Sequence, residues 1–134
     1  VSTRSQRDEL PKEWRVENFL KKDSGKKSKM RSVRSGGDKA ITDFYCIAQS
    51  GEFALVQAKP LTGRMHQIRV HLSEGGTPIL GDRTYGDGNS ASRLMLHAAC
   101  LTFPHPISKL EISIEAPLPQ DFRECLKMHS LTSK

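Results

Sequence analysis

The chain has 134 residues and 36% hydrophobic content, which suits one domain around one core; no stretch approaches the roughly 18 apolar residues that a membrane helix needs. Lys and Arg number 21 against 15 Asp and Glu, a net charge of +6 that favours a polyanionic partner, nucleic acid first. Cys46, Cys100 and Cys125 are odd in number, far apart and form no C-x-x-C pair, so neither a zinc ribbon nor a redox motif is indicated; reduced, buried thiols in a cytoplasmic protein are expected.

The chain opens on Val1 rather than Met, which predicts a processed or excised piece, and its first ten residues are polar and charged, unlike a signal peptide. Residues 1–40 read as a basic, partly flexible segment. Between 21 and 34 the cations face a single acid, Asp23, and Ser35-Gly36-Gly37 follows. Such a run cannot bury enough apolar surface to fold alone. It is either a solvated arm or a phosphate-tracking segment in which Lys26, Lys27 and Lys29 gain affinity by releasing counterions condensed on a nucleic acid.

Regular structure is expected from Ile41, making 41–134 the folded unit. Residues 41–48 and 53–58 are rich in β-branched and aromatic types, and Gln49-Ser50-Gly51-Glu52 between them reads as the turn of a hairpin. Pro60-Leu61-Thr62-Gly63 ends the second strand. Thr62 can cap a helix over 64–74, with Ile68 and Leu72 as its apolar stripe, Gly75-Gly76 as its left-handed stop and Pro78 beyond. A short strand at Ile79-Leu80 and a loop over 81–92 follow. The apolar run 94–103 is expected as the central strand, and the period-two alternation over 110–115 predicts a half-buried strand. Pro119 can start a last helix with Phe122, Cys125 and Leu126 facing the core. Strands outnumber helices and most links are hairpin-like, so the fold class is α+β with a few helices on a largely antiparallel, mixed sheet.

On the helix from Arg64, residues His66, Arg69 and Ser73 share one face. Arg69 falls at the edge of the apolar stripe, where a guanidinium wants a carboxylate that its planar fork can bind bidentately; an internal structural ion pair meets the same need. His66 and His71 are five apart and miss the i, i+4 spacing of a helical metal site. His66 can donate to RNA phosphate or to backbone. His97, in an apolar run, reads as a core histidine bonded to backbone. No G-x-S-x-G, P-loop or dinucleotide fingerprint is present.

The stretch Leu61-Thr62-Gly63-Arg64-Met65-His66-Gln67-Ile68-Arg69-Val70-His71-Leu72 closely resembles a signature of the RluA-type RNA pseudouridine synthases. Gly76-Thr77-Pro78-Ile79-Leu80-Gly81-Asp82-Arg83-Thr84-Tyr85-Gly86, Leu96-His97-Ala98, Phe103-Pro104-His105-Pro106 and Ala116-Pro117-Leu118-Pro119 are similar to the segments that follow it, and the likeness spans roughly 29–126. The resemblance implies isomerisation of uridine to pseudouridine in ribosomal or transfer RNA, without cofactor or metal, by an aspartate that attacks ribose or base while the base detaches and turns. It implies that Arg69 pairs with that aspartate, that Gly63, Arg64, His66 and Gln67 lie on the RNA side of the cleft, and that Leu96 is an apolar wall of the uracil pocket. The family's H-R-L-D-type nucleophile motif does not occur here, nor does its upstream tyrosine, so the chain resembles the C-terminal half of the catalytic domain. Three readings follow. The chain is a fragment of a synthase, inactive alone, whose exposed apolar surface meets the missing N-terminal half or a second copy; or a non-catalytic RNA-binding relative; or an enzyme that recruits Asp82, in its glycine-flanked loop, as nucleophile.

Overall fold

The computed structural model describes residues 2–4, 9–23, 25 and 29–131. Five strands, β1 (Ser2–Arg4), β2 (Glu13–Lys22), β3 (Met30–Val33), β4 (Asp38–Ser50) and β5 (Phe53–Pro60), form one sheet in the order β1-β5-β4-β2-β3. Every described pairing within it is antiparallel. Helix α1 (Gln67–Glu74) follows; β6 (Cys100–Pro104) and β7 (Glu111–Glu115) make a separate two-stranded sheet, and α2 (Gln120–Met128) ends the fold. The α+β class expected from the sequence is the class observed.

The hairpin β4–β5 forms where its residue types predict it, turning at Gly51, which takes φ 58°. Along β4 the side chains of Ala40, Thr42 and Phe44 alternate into the interior at period two. The register shifts between Cys46 and Ala48, so Ile47 is an extra residue that bulges outward. Phe44, Ala54 and Val56 from this hairpin meet Leu72 of α1, Ile79, Leu80 and Met95 from the irregular chain, and Phe122, Cys125 and Leu126 of α2 in the main core. The last three are the residues predicted to turn inward, and Pro119 is the N-cap of their helix. A second cluster of Leu20, Met30, Ala40 and Val70, flanked by Tyr85, joins β2, β3 and β4 to α1.

The described residues before Ile41 are not a mere arm, since 13–22, 30–33 and 38–40 lie in strands. β2 pairs with β4 from Glu13↔Tyr45 to Leu20↔Asp38, and β3 lies beyond it at the edge of the same sheet. The reason is an alternation hidden among charges: Trp14, Val16, Asn18 and Leu20 turn inward while Glu13, Arg15, Glu17 and Phe19 face out. Ala40 thus lies within β4, in the same sheet as β2 and β3 before it. Lys26 and Lys27 lie outside the described residues.

The expected central strand over 94–103 is also absent. Residues 94–99 run irregularly, with the Met95 amide donating to Leu80 and the Met95 side chain buried, and only then does the chain enter β6. Ile79 makes a single bridge to Thr3 rather than a strand. In the β6–β7 pair, Leu101 faces Ile114 and Phe103 faces Ile112, so one side is apolar. That side is open at one end: Leu101 is 62% and Ile114 53% exposed while Phe103 and Ile112 are half-buried, so of the apolar residues in 110–115 only Ile112 meets the expectation of half burial. Cys100, on the other side of β6, is exposed too, so it is not one of the buried thiols expected.

Gly81 holds the turn that carries Asp82. It sits at φ 78°, and a Cβ there would run into the backbone carbonyl of Arg93. Gly81→Ala should therefore cost at least about 2 kcal/mol of stability, read as a lowered midpoint in urea unfolding. A midpoint matching the native chain would show that the turn relaxes freely.

Candidate nucleic-acid site

Helix α1 starts at Gln67, three residues later than the sequence predicts, and its N-cap is His66 in a left-handed conformation (φ 54°) with no side-chain cap bond. Thr62 is not the cap because its hydroxyl is used elsewhere: it accepts from the Ile41 amide at 3.0 Å and donates to Gln67 Oε1 at 2.6 Å. Gln67 Oε1 also accepts from the Arg64 amide at 3.0 Å, so the buried glutamine clamps the loop 62–66 that delivers the helix. The other end of α1 is as predicted, with Gly75 at the C-cap and Gly76 at φ 83°.

His66, Arg69 and Ser73 do share one face, and all three converge on Tyr85. His66 Nδ1 lies 2.9 Å from the Tyr85 hydroxyl, the Arg69 guanidinium lies over its ring at 5.1 Å, and Ser73 Oγ donates to its carbonyl at 2.6 Å. The Tyr85 hydroxyl accepts from the Met30 amide at 2.8 Å, which leaves its proton for His66 Nδ1. Burial, with Arg69 adding to it, pushes the His66 imidazole below its ordinary pKa, consistent with a neutral acceptor. Lys29 places its ammonium 5.8 Å from the same ring. Sequence reasoning gave Tyr85 no role; its signal was its place in the family-like stretch 76–86, three residues after Asp82.

Arg69 has a partner within the chain. Nε and Nη2 donate to the two oxygens of Asp82 at 3.0 and 2.7 Å, and the Asp82 side chain is fully buried. Asp82 Oδ1 also accepts from the amides of Thr84 and Tyr85. Burial alone would raise the Asp82 carboxyl, but Arg69 and these amides outweigh it and hold it below the ordinary value, while Asp82 raises Arg69. A buried carboxylate with both oxygens engaged is not placed for attack on a substrate, so recruitment of Asp82 as nucleophile is overturned.

A second polar network lies on the sheet side of α1. Gln67 Nε2 donates to Ile41 O and Thr42 Oγ1, both at 2.9 Å; Thr42 Oγ1 lies 2.8 Å from His71 Nδ1; His71 Nε2 lies 2.7 Å from Asn18 Oδ1. With Asn18 Oδ1 as acceptor, Nε2 carries the proton and Nδ1 accepts from Thr42. Burial pushes His71 down, with Glu74 opposing weakly. Gln67 is thus used within the fold rather than facing RNA.

The remaining expected residues separate. Arg64 is exposed, its Nε donating to Lys39 O at 2.9 Å. With Gly63, Lys21, Lys22, Asp38 and Met30 it lines a hollow of about 440 Å³, three cations against one acid. Leu96 packs against the main core; His97 Nε2 bonds Ala116 O at 3.1 Å, the backbone partner expected of it, but the residue is half-buried rather than in the core.

The family model described as RNA pseudouridylate synthase matches residues 5–74, across the whole of β2 to α1. The chain is 40% identical over 98 residues to the uncharacterized RNA pseudouridine synthase YjbO of Bacillus subtilis, covering 72% of this chain and 35% of that protein. It is 35% identical over 130 residues to the ribosomal large subunit pseudouridine synthase D of Zymomonas mobilis, covering 89% and 41%. With the ribosomal large subunit pseudouridine synthase C of Yersinia pestis it shares 42% over 102 residues, 70% and 32%. Among solved structures, human RNA pseudouridylate synthase domain containing 1 superposes with a TM-score of 0.75 at 28% identity, covering 92% of this chain and 56% of that one. The chain thus spans 32–41% of the length of these curated relatives.

The neutral state of His71 ties stability to pH. Its folded pKa lies below the ordinary 6.5, so in that window the unfolded chain binds the extra proton and stability is lost as pH falls. Urea midpoints should drop between about pH 7 and about pH 5, and His71→Gln should flatten that dependence. An unchanged slope in the variant would assign the effect to His66 instead.

Proposed function

The chain belongs to the RNA pseudouridylate synthase family, and from that premise we propose that it serves uridine-to-pseudouridine isomerisation in ribosomal or transfer RNA, in the cytoplasm, as the C-terminal half of a catalytic domain. The observation that carries this reading is the fixed Arg69 guanidinium at the centre of the helix face that the family signature builds. In this reading Arg69 pairs with the attacking aspartate of an N-terminal half. Arg64, Lys29 and the cations of the hollow hold the RNA backbone, Gly63 keeps the approach to Arg64 open, His66 lines the RNA side of the cleft, and Leu96 walls the uracil. Lys26 and Lys27 belong to the same basic segment by sequence. No cofactor enters: a carboxylate, an arginine and a wall for the base suffice for the chemistry that the family resemblance implies.

The open end of the apolar side of β6–β7 supports the half-domain reading. A two-stranded sheet is marginal alone, and an alternating strand with part of its apolar side in water lacks the burial that its pattern serves. The absent half of the catalytic domain is the occupant that completes both this surface and the chemistry; self-association is what the chain by itself would fall back on.

One observation favours a second reading, a non-catalytic RNA-binding relative. Arg69 is compensated by Asp82 inside this chain, so it is no desolvation liability in the absence of a nucleophile.

Tritium release from RNA labelled at uridine C5 separates them. The chain alone should release none; with the N-terminal half of the catalytic domain restored, release should appear. Arg69→Lys, which keeps a cation beside the buried Asp82 but loses the remaining donors of the fork, should then lower it by about two orders of magnitude while RNA affinity changes little. Equal loss of both would end the ion-pair assignment, and RNA binding without release in the restored protein would favour the binding-only relative. Replacing Lys29 and Arg64 by Ala should reduce the salt slope of RNA binding by about 2; an unchanged slope would make these cations bystanders.

A further inference from the structure

A guanidinium has five N–H donors in a rigid plane. Asp82 takes two of those of Arg69, one from Nε and one from Nη2, along one side of the fork. The two N–H bonds of Nη1 and the second of Nη2 have no acceptor among the described residues, and the Arg69 side chain keeps 17% of its surface in solvent. Asp82 is the opposite: wholly buried, with Oδ1 shared among Nη2 and the amides of Thr84 and Tyr85, and Oδ2 on Nε. The pair is asymmetric, its carboxylate closed and its arginine open.

The Tyr85 ring flanks the guanidinium, its centroid 5.1 Å from the central carbon, and the two bonds to Asp82 fix the rotation of the fork. What remains is the Nη1–Nη2 end, where two parallel N–H bonds match a carboxylate as well as the occupied side does. We propose that Asp82 is a positioning residue: it holds Arg69 by the Nε–Nη2 side so that the Nη1–Nη2 end is a preformed seat for a second carboxylate. That the second carboxylate is the attacking aspartate rests on the function proposed above; the seat itself does not. A fork already immobilised loses little freedom when the second anion arrives, which favours a fixed geometry at the attacking group. The negative charge of Asp82 also offsets the positive charge of Arg69, so the second carboxylate is held more by direction than by net charge.

The seat can be read on the purified chain without turnover, by nitrogen-15 spectra of the Arg69 side chain with formate as the probe carboxylate. At constant ionic strength, formate should shift the Arg69 Nη signals saturably and leave the Nε–H signal, held by Asp82, in place; chloride should do neither. No saturable Nη response, or a displaced Nε–H, would overturn the proposal, and this arm needs no variant. Asp82→Asn, confirmed as folded by its backbone amide spectrum, should speed exchange of the Nε–H and weaken formate binding about tenfold. Undiminished formate binding in that variant would reduce Asp82 to a structural ion. A formate seat in a chain whose restored form releases no tritium would leave this inference standing and remove the catalytic reading; turnover without the seat would do the reverse.

Discussion

A buried carboxylate decides how the C-terminal part of this fold is arranged. Asp82 has no access to water, and an isolated carboxylate in that position would cost several kcal/mol. Its stability as an anion requires Arg69 from α1 and the amides of Thr84 and Tyr85 from its own turn, all at once. That turn in turn requires Gly81, because only a residue without Cβ fits beside the Arg93 backbone. Satisfying one charge therefore fixes the rotation of α1, the path after Leu80 and the position of Tyr85.

Tyr85 extends the constraint to the sheet. Through Met30 its hydroxyl reaches β3, and through His66 it reaches the loop before α1. On the opposite side of the same helix, the Gln67–Thr42–His71–Asn18 chain ties α1 to β4 and β2. Helix α1 is eight residues long and weakly amphipathic, so its stability comes from these two polar clusters as much as from Val70 and Leu72. A short helix pinned on both sides holds its guanidinium rigidly, which is what a charged group at a reaction centre needs.

Local patterns were legible in the sequence, and long-range compensation was not. The β4–β5 hairpin, the glycine stop after α1 and the inward residues of α2 depend on residue types within a few positions, and they stand where the pattern puts them. The alternation of β2 was equally local but was masked by flanking charges, because composition over forty residues outweighed period over eight. The start of α1 escaped because a buried Gln67 side chain, not Thr62, organises the entry loop. The shared face of His66, Arg69 and Ser73 was readable from spacing; its target Tyr85 was not, since nothing local marks a turn tyrosine as the residue on which a helix face converges. The likeness to relatives supplied the family, while the pairing of Arg69 with Asp82 came from geometry alone.

The described polar groups around α1 are almost completely paired, whereas Leu101 and Ile114 leave one end of the apolar side of β6–β7 uncovered. These are different kinds of incompleteness. An unpaired buried charge would unfold the chain, so the fold closes its charges internally. An uncovered apolar strand costs far less per residue and can wait for a partner. The same distinction separates the two ends of Arg69: its Asp82 side closes a charge that the fold itself must neutralise, while its Nη1–Nη2 end, without an acceptor among the described residues on a side chain that keeps 17% of its surface in solvent, can remain vacant at little cost to folding. Surfaces that tolerate vacancy are the ones free to serve assembly and chemistry, and in this chain they are the open end of the apolar side of β6–β7 and the outer edge of Arg69.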